Sequence, residues 1–265
     1  MIRFDRVGFR FNGAAGSSSV LADFELTIAR GEFHLVLGPS GCGKTTALNL
    51  LAGFEQPTQG SILVDERTVA GPGVDRIVIF QGDDSLYPWL TAIENIEFGL
   101  RIQGIPVSER HAKAREYLAM VGLAAHENKF PGELSGGMKQ RIQIARALVC
   151  HSPILLMDEP FAAVDAQTRE MLQQELSLIW ERTGCTIFFI THDITEAILL
   201  ADRISVMHAG PGSHIKETLA IDMARPRSPG SADFARYYKR VHAILAGEVQ
   251  RAARFLQATQ LTQLS

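Results

Sequence analysis

The chain has 265 residues, enough for one large domain or for a domain carrying an inserted subdomain. Hydrophobic residues make up 46% and charged residues 21%, the balance of a globular protein with a substantial apolar core, and the net charge of −3 excludes a global basic field for nucleic acid. The three cysteines (Cys42, Cys150, Cys185) are odd in number and far apart, which argues for reduced thiols rather than a disulfide framework, and no Cys/His spacing suggests a metal site.

Residues 1–6 carry charges where a signal peptide needs an apolar core. No apolar run approaches the roughly 18–20 residues that span a bilayer. Ile2, Phe4, Val7, Phe9 and Phe11 alternate as in strands, and the Gly13–Ser19 stretch makes a turn. Phe11 is either a platform on which adenine stacks or a hairpin aromatic, and spacing alone favours the second.

An apolar strand, Phe33–Leu37, runs into Gly38-Pro39-Ser40-Gly41-Cys42-Gly43-Lys44-Thr45, and a helical pattern follows from Thr46. This is the phosphate-loop pattern in its proper strand-then-helix context. Its glycines let backbone N–H groups approach phosphate oxygens, and the helix that starts at Gly43 directs its positive end at the same charge. Lys44 is placed to reach the β- and γ-phosphates, and Thr45 to offer a hydroxyl to Mg²⁺. Cys42, beside the expected triphosphate, is an expected site of inhibition by maleimides. Gly53 is the expected C-cap of this helix.

Ile77–Phe80 reads as a strand that ends at Gln81, whose amide can touch Mg²⁺ or the attacking water. Residues 86–149 read as mostly helical, including a segment from Ser108 to Gly122. Leu134-Ser135-Gly136-Gly137-Met138-Lys139-Gln140 opens a helix as a second potential anion site or as an ordinary N-cap. Ile154–Met157 is a buried-type strand ending in Asp158-Glu159: Asp158 suits the Mg²⁺ side, and Glu159 suits polarising a water. A loop to Asp165 leads into a helix, and the strand Thr186–Ile190 ends at Thr191-His192-Asp193, where His192 can hydrogen-bond a γ-phosphate. Residues 225–254 carry seven basic residues (Arg225, Arg227, Arg236, Lys239, Arg240, Arg251, Arg254) against Asp233 and Glu248. They read as a solvated helical face, with contact to an anionic membrane surface or partner as the alternative.

Taken together these motifs resemble the ATP-binding subunit of ABC transporters, over nearly the whole chain. The order is that family's: phosphate loop Gly38–Thr45, Q-loop Gln81, signature Leu134–Gln140, Walker B with catalytic carboxylate Ile154–Glu159, D-loop Ala162–Asp165 and switch histidine His192. The resemblance implies an α/β fold, a P-loop NTPase with a RecA-like core, an antiparallel β subdomain and an α-helical signature subdomain. It places the ATPase domain at residues 1–230, with the helical subdomain inserted at about 86–150, and a short helical tail at 231–265. It makes Phe11 the adenine-stacking aromatic and implies ATP and Mg²⁺ as cofactors. Nucleotide contacts would come from Phe11, Gly38 to Thr46, Gln81, Ser135, Gly136, Gly137, Gln140 and Asp165, metal contacts from Thr45, Gln81 and Asp158, and catalysis from Glu159, His192, Lys44 and Gln81.

The resemblance also implies a second cassette packed head to tail, membrane permease subunits and a periplasmic or lipid-anchored solute-binding protein, with no nucleic acid partner. Such a subunit sits peripherally on the cytoplasmic face of the inner membrane. Leu86-Tyr87-Pro88-Trp89-Leu90-Thr91 looks like the corresponding segment of the nitrate/sulfonate/taurine importer group. The D-loop reads Ala-Ala-Val-Asp where the family commonly has Ser-Ala-Leu-Asp, so its first hydroxyl is missing. An exporter or lipoprotein-releasing cassette, and a soluble ABC ATPase acting on nucleic acid or ribosomes, are the alternatives.

Overall fold

The alternation at the start of the chain forms two antiparallel strands, β1 (Ile2–Phe9) and β2 (Leu21–Ile28), in register from Ile2↔Ile28 to Phe9↔Leu21. The apolar residues change parity between Phe4 and Val7 because the register shifts there: Arg6 adopts φ 45 and inserts a bulge. Gly60 makes room for it, since a Cβ on Gly60 would lie 2.3 Å from the Asp5 and Arg6 carbonyl oxygens. This computed structural model describes residues 1–11, 19–80, 86–162 and 164–263, with side chains to residue 254. It comprises two units, residues 1–73 with 186–265, and residues 74–185.

In the first unit, β3 (Phe33–Leu37) is buried at every residue and leads into α1 (Lys44–Ala52). Gly53 ends α1 at φ 82 and abuts the Gly71 carbonyl, where a Cβ would come within 2.2 Å. β4 (Gln59–Val64) pairs with β1, and β5 (Arg67–Thr68) with β4, completing an antiparallel sheet ordered β2-β1-β4-β5.

The second unit opens with β6 (Arg76–Ile79), which runs parallel to β7 (Ile154–Asp158). Between them α2 (Ala92–Ile102), α3 (Val107–Met120) and α4 (Gly136–Leu148) pack on one another. Thr91 and Glu94 form a full capping box at the start of α2, a Thr-x-x-Glu signal carried in the sequence itself. The helix expected from Ser108 begins at Val107, with Pro106 ahead of it. α5 (Ala166–Thr183) closes this unit.

Returning to the first unit, β8 (Thr186–Thr191) and β9 (Arg203–Met207) flank β3 in parallel, with α6 (Ile194–Leu200) between them in the chain. β10 (Ile215–Ala220) runs antiparallel to β9, and α7 (Ala232–Gln263) follows. The aromatic core stacks Phe4 on Phe24 at 5.1 Å and on Phe188 at 6.2 Å, edge-on and tilted arrangements that the ring quadrupole favours. A buried polar chain crosses this sheet. His34 Nδ1 donates to Glu32 at 2.7 Å, His34 Nε2 lies 2.9 Å from Ser205 Oγ, and Ser205 lies 2.7 Å from Thr218. Among the described residues no helix is long and apolar enough to cross a membrane.

The basic residues of 225–254 do not form one solvated helical face. Arg225 pairs with Asp202 at 2.8 Å, and Arg227 donates to the carbonyls of Ile198, Ala201, Ile221 and Met223 at 2.6–3.1 Å. Two arginines that precede α7 thus satisfy carbonyls at the end of α6. Burial, and then the neighbouring Arg225 charge, pull Arg227 down to about 10. Arg240, on α7, does meet solvent, paired at 3.0 Å with Glu217.

Candidate active site

Three strand ends meet in the first unit. β3 pairs with β8 in register Leu37↔Thr191 and with β9 in register Leu37↔Val206. Gly38, His192 and Met207 therefore lie side by side at the C-terminal edge of a parallel sheet, the edge where such folds collect ligands. Gly38 tolerates no side chain: a Cβ there would fall 2.6 Å from Cys42 Sγ and 3.2 Å from Met207 Cβ. Gly43 stands at φ 91, left-handed, and turns the loop directly into α1. No side chain caps α1, and its first turn carries no acidic residue, so its positive end is left for an anion.

Lys44 is buried and donates to the carbonyls of Gly38 at 2.8 Å and Pro39 at 3.0 Å. Ser40, Gly41 and Thr45 are exposed, and Pro39 and Thr46 half-buried. His192 is exposed just beyond β8, and Asp193 behind it caps α6 by accepting from Thr195 N at 2.7 Å and Glu196 N at 3.2 Å. Phe11 is 54% exposed and meets Phe9 edge-on at 4.9 Å, so the ring has a solvent-facing surface.

The second unit holds the remaining candidates. The register Ile79↔Met157 puts the end of β6 beside Asp158 and Glu159, both half-buried. Gln81 lies outside the described residues. Glu159 has φ 44, a left-handed conformation rare for a residue with a Cβ and typical of strain held at functional positions. Ser135 caps α4, accepting from Met138 N at 3.3 Å, and Gly136 and Gly137 form the first turn behind it. Gln140 is buried further along α4, and its Nε2 has no hydrogen-bond partner among the described residues. Asp165 caps α5 by accepting from Thr168 N at 3.0 Å, and that N–H holds its carboxyl below the usual range.

A family model described as ABC transporter matches residues 21–162. The chain belongs to the ABC transporter family. It is 46% identical to the taurine import ATP-binding protein TauB of Pseudomonas aeruginosa, over 85% of each chain. It is 48% identical to the nitrate import ATP-binding protein NrtD of Synechocystis, over 80% of this chain and 79% of the relative. A solved dimeric structure of the ATP-binding cassette MJ0796 in a post-hydrolysis state, bound to ADP and Pi, superposes with a TM-score of 0.73. That match has 31% identity and covers 84% of this chain and all of the other.

As an ABC cassette the chain carries a RecA-like P-loop ATPase core with a mixed sheet and an α-helical subdomain, and it is an ABC-type ATPase that binds ATP. One expectation needs correction. Cys42 is only 3% exposed, and burial pushes its thiol up, so it is poorly placed for maleimides despite its position in the loop.

Sequence reasoning also missed Asn95. It is fully buried on α2 and accepts from Tyr87 N at 2.8 Å while donating to the carbonyls of Tyr87, Leu90 and Thr91 at 3.0–3.2 Å. Tyr87 is held further by Phe98 at 4.4 Å and by the Arg146 guanidinium at 5.3 Å over its ring. This framework leaves Trp89 70% exposed at the tip of the segment. A lone Asn in an amphipathic helix carries no sequence signal of such a role.

Proposed function

We propose that this ABC ATPase energises import of a small solute through a separate membrane permease, with a cargo of the anionic or zwitterionic class handled by the taurine and nitrate relatives. The observation that carries the site assignment is the uncapped α1 behind its glycine loop, beside His192 through the Leu37↔Thr191 register. The residues fit a polyphosphate. Backbone N–H groups of Gly41 to Thr45 would face its oxygens, Lys44 would trade its carbonyl partners for the β- and γ-phosphates, and Phe11 would stack on adenine. Mg²⁺ would be held by oxygen donors, Thr45 and Asp158 with Gln81, and supplies positive charge for the β- and γ-oxygens.

In hydrolysis Glu159 takes a proton from the attacking water as the water oxygen bonds the γ-phosphorus. The bond from that phosphorus to the β–γ bridging oxygen breaks, and ADP leaves with the electron pair. His192 donates a hydrogen bond to a γ-phosphate oxygen. Ser135, Gly136 and Gly137 of a second copy would cover the nucleotide, so that ATP draws two cassettes together and hydrolysis releases them. Gln140 and Asp165 would support that edge from the second copy. Trp89, rigidly framed and exposed, suits docking to a permease.

The protein would then work peripherally on the cytoplasmic face of the inner membrane. Affinity co-purification from detergent-solubilised membranes tests this reading. We expect a multi-span permease and a solute-binding protein, whereas recovery of ribosomal or DNA-associated proteins without a membrane partner would overturn the importer assignment.

A further inference from the structure

The turn between β9 and β10 backs both ends of the phosphate loop. At one end Met207 packs against Gly38, where an added Cβ would meet it at 3.2 Å. At the other end Val20 and Leu21 pack against Gly43, where an added Cβ would meet them at 3.1 and 3.0 Å. Val20 and its neighbours are bonded to the same turn: Gly212 N donates to Ser19 O at 2.6 Å, Ser213 N to Val20 O at 2.9 Å, and Ala22 N to Ser213 O at 3.2 Å. Residues 207–213 and 19–22 thus form one backing for the loop.

A single carboxylate from the C-terminal helix holds that turn. Glu248 on α7 is fully buried. Its Oε2 accepts from Ala209 N at 2.9 Å and lies 3.1 Å from His208 Nδ1 and 3.7 Å from Arg251 Nε. Its Oε1 pairs with Lys216 on β10. His208 and His214 stack at 4.6 Å across the turn. Burial works against the carboxylate's charge, yet Lys216 and the Ala209 N–H hold it below the usual carboxylate range. Burial pushes the Cys42 thiol up against the Lys44 charge and backbone hydrogen bonds that lower it, and the Glu248 charge adds a smaller upward push, so the two residues are close enough to sense each other. This buried charge meets His208 and Ala209 in the turn, Lys216 on β10 and Arg251 on its own helix, so it ties the turn and β10 to α7, and removing it leaves those partners unpaired.

We propose that Glu248 is a positioning residue for the phosphate loop: by pinning the 207–213 turn from α7, it holds Gly38 to Thr45 in the shape that receives the triphosphate. This rests on the assignment of that loop as the nucleotide site.

The test uses the full chain with Glu248→Gln, which keeps the side-chain volume, and Lys216→Met as a second variant that leaves Glu248 in place. Two readouts are taken: KM and kcat for ATP, and the rate of Cys42 alkylation by N-ethylmaleimide relative to Cys185, resolved by mass spectrometry. We expect KM to rise by roughly 3–30-fold with kcat little changed. We also expect Cys42 to label about tenfold faster relative to Cys185, as the loop opens locally. An unchanged Cys42/Cys185 ratio in both variants overturns the proposal, as does equal acceleration of both thiols, which marks general loosening. Failure of the unsubstituted chain to bind ATP through this loop would remove the nucleotide-site assignment, while the thiol ratio would still decide whether Glu248 shapes the loop.

Discussion

Lys44 Nζ donates to the Gly38 carbonyl at 2.8 Å, so the ammonium is aimed back across the loop from which its own helix starts. It is buried in the loop expected to receive phosphate, and its ammonium donates to the Gly38 and Pro39 carbonyls. Replacing it leaves that end of the loop without a cation. A hydrogen bond to a charged group is worth about 1.5–3 kcal/mol, so losing two such bonds from Lys44 to the β- and γ-phosphates should weaken ATP binding in Lys44→Ala by about 100-fold or more. Unchanged affinity by calorimetry would remove Gly38–Thr45 as the nucleotide site.

Glu159 follows β7 in a left-handed conformation, φ 44, which re-aims its side chain off the strand direction. A carboxylate placed this way suits a general base better than a structural acid, and removal of such a base typically costs about 10²–10⁴-fold in rate. Glu159→Gln should therefore keep ATP affinity, lose turnover by that order, and accumulate a dimer with ATP by light scattering. Turnover within a few-fold of the parent would take the base assignment away from Glu159.

The thiols should be slow. Burial raises Cys42, Cys150 and Cys185 alike, and thiolate is the reacting form. At neutral pH each should label with N-ethylmaleimide more slowly than free cysteine by about tenfold or more, and full labelling should need denaturant. Fast, stoichiometric loss of ATPase activity on Cys42 labelling would instead restore the maleimide inhibition expected from its position beside the triphosphate.

What was legible in the sequence was what is local. Phe33–Leu37, the glycine loop and the helix after it are contiguous, so their periodicity and turn chemistry lie in one window. The shift of parity at Val7 was visible as imperfect alternation, but its cause is a bulge accommodated by Gly60, far along the chain. Arg225 and Arg227 were misread because their partners, Asp202 and the carbonyls near the end of α6, are set by tertiary packing that charge counting does not see. Cys42 was misread for the same reason: Gly38 and its neighbours bury it from the side, across the loop rather than along it. Glu248 had no signal of its role, since the partners it reaches across the fold lie on β10 and in the turn before it.

Acid should weaken the fold through His34. The ring is fully buried, donates to Glu32 and faces Ser205, and burial lowers its pKa despite the Glu32 hydrogen bond that raises it. The folded state therefore binds a proton on His34 less readily than the unfolded chain, whose histidines titrate near about 6.5. The contribution is fully present above that pH and is lost as pH falls below it toward the folded value. His208, also lowered by burial first, adds to the same window, whereas Glu32 acts only at more acidic pH. The melting temperature should drop between about pH 7 and 5.5, and His34→Gln should melt lower at pH 7 but with a shallower drop. Equal slopes in the two proteins would clear His34 of this role.

Gly137 and Thr168 lock the start of the signature helix to the start of α5. A Cβ on Gly137 would fall 2.5 Å from Thr168 Cγ2, while Thr168 N is already committed to Asp165 at 3.0 Å. Alanine for glycine in a helix gains up to about 1 kcal/mol from propensity, but forcing a methyl into a filled contact costs about 1–3 kcal/mol. The clash is against a β-branched side chain whose backbone is pinned by the cap, so the cost should win, and Gly137→Ala should destabilise by about 1–2 kcal/mol in urea unfolding. Thr168→Ser removes only the methyl that clashes and keeps the Asp165 bond. The double variant should thus recover most of the loss, giving a coupling energy of about 1 kcal/mol in the mutant cycle. A Gly137→Ala protein as stable as its parent, or a double variant no better than the single, would show that α4 and α5 do not meet at this point.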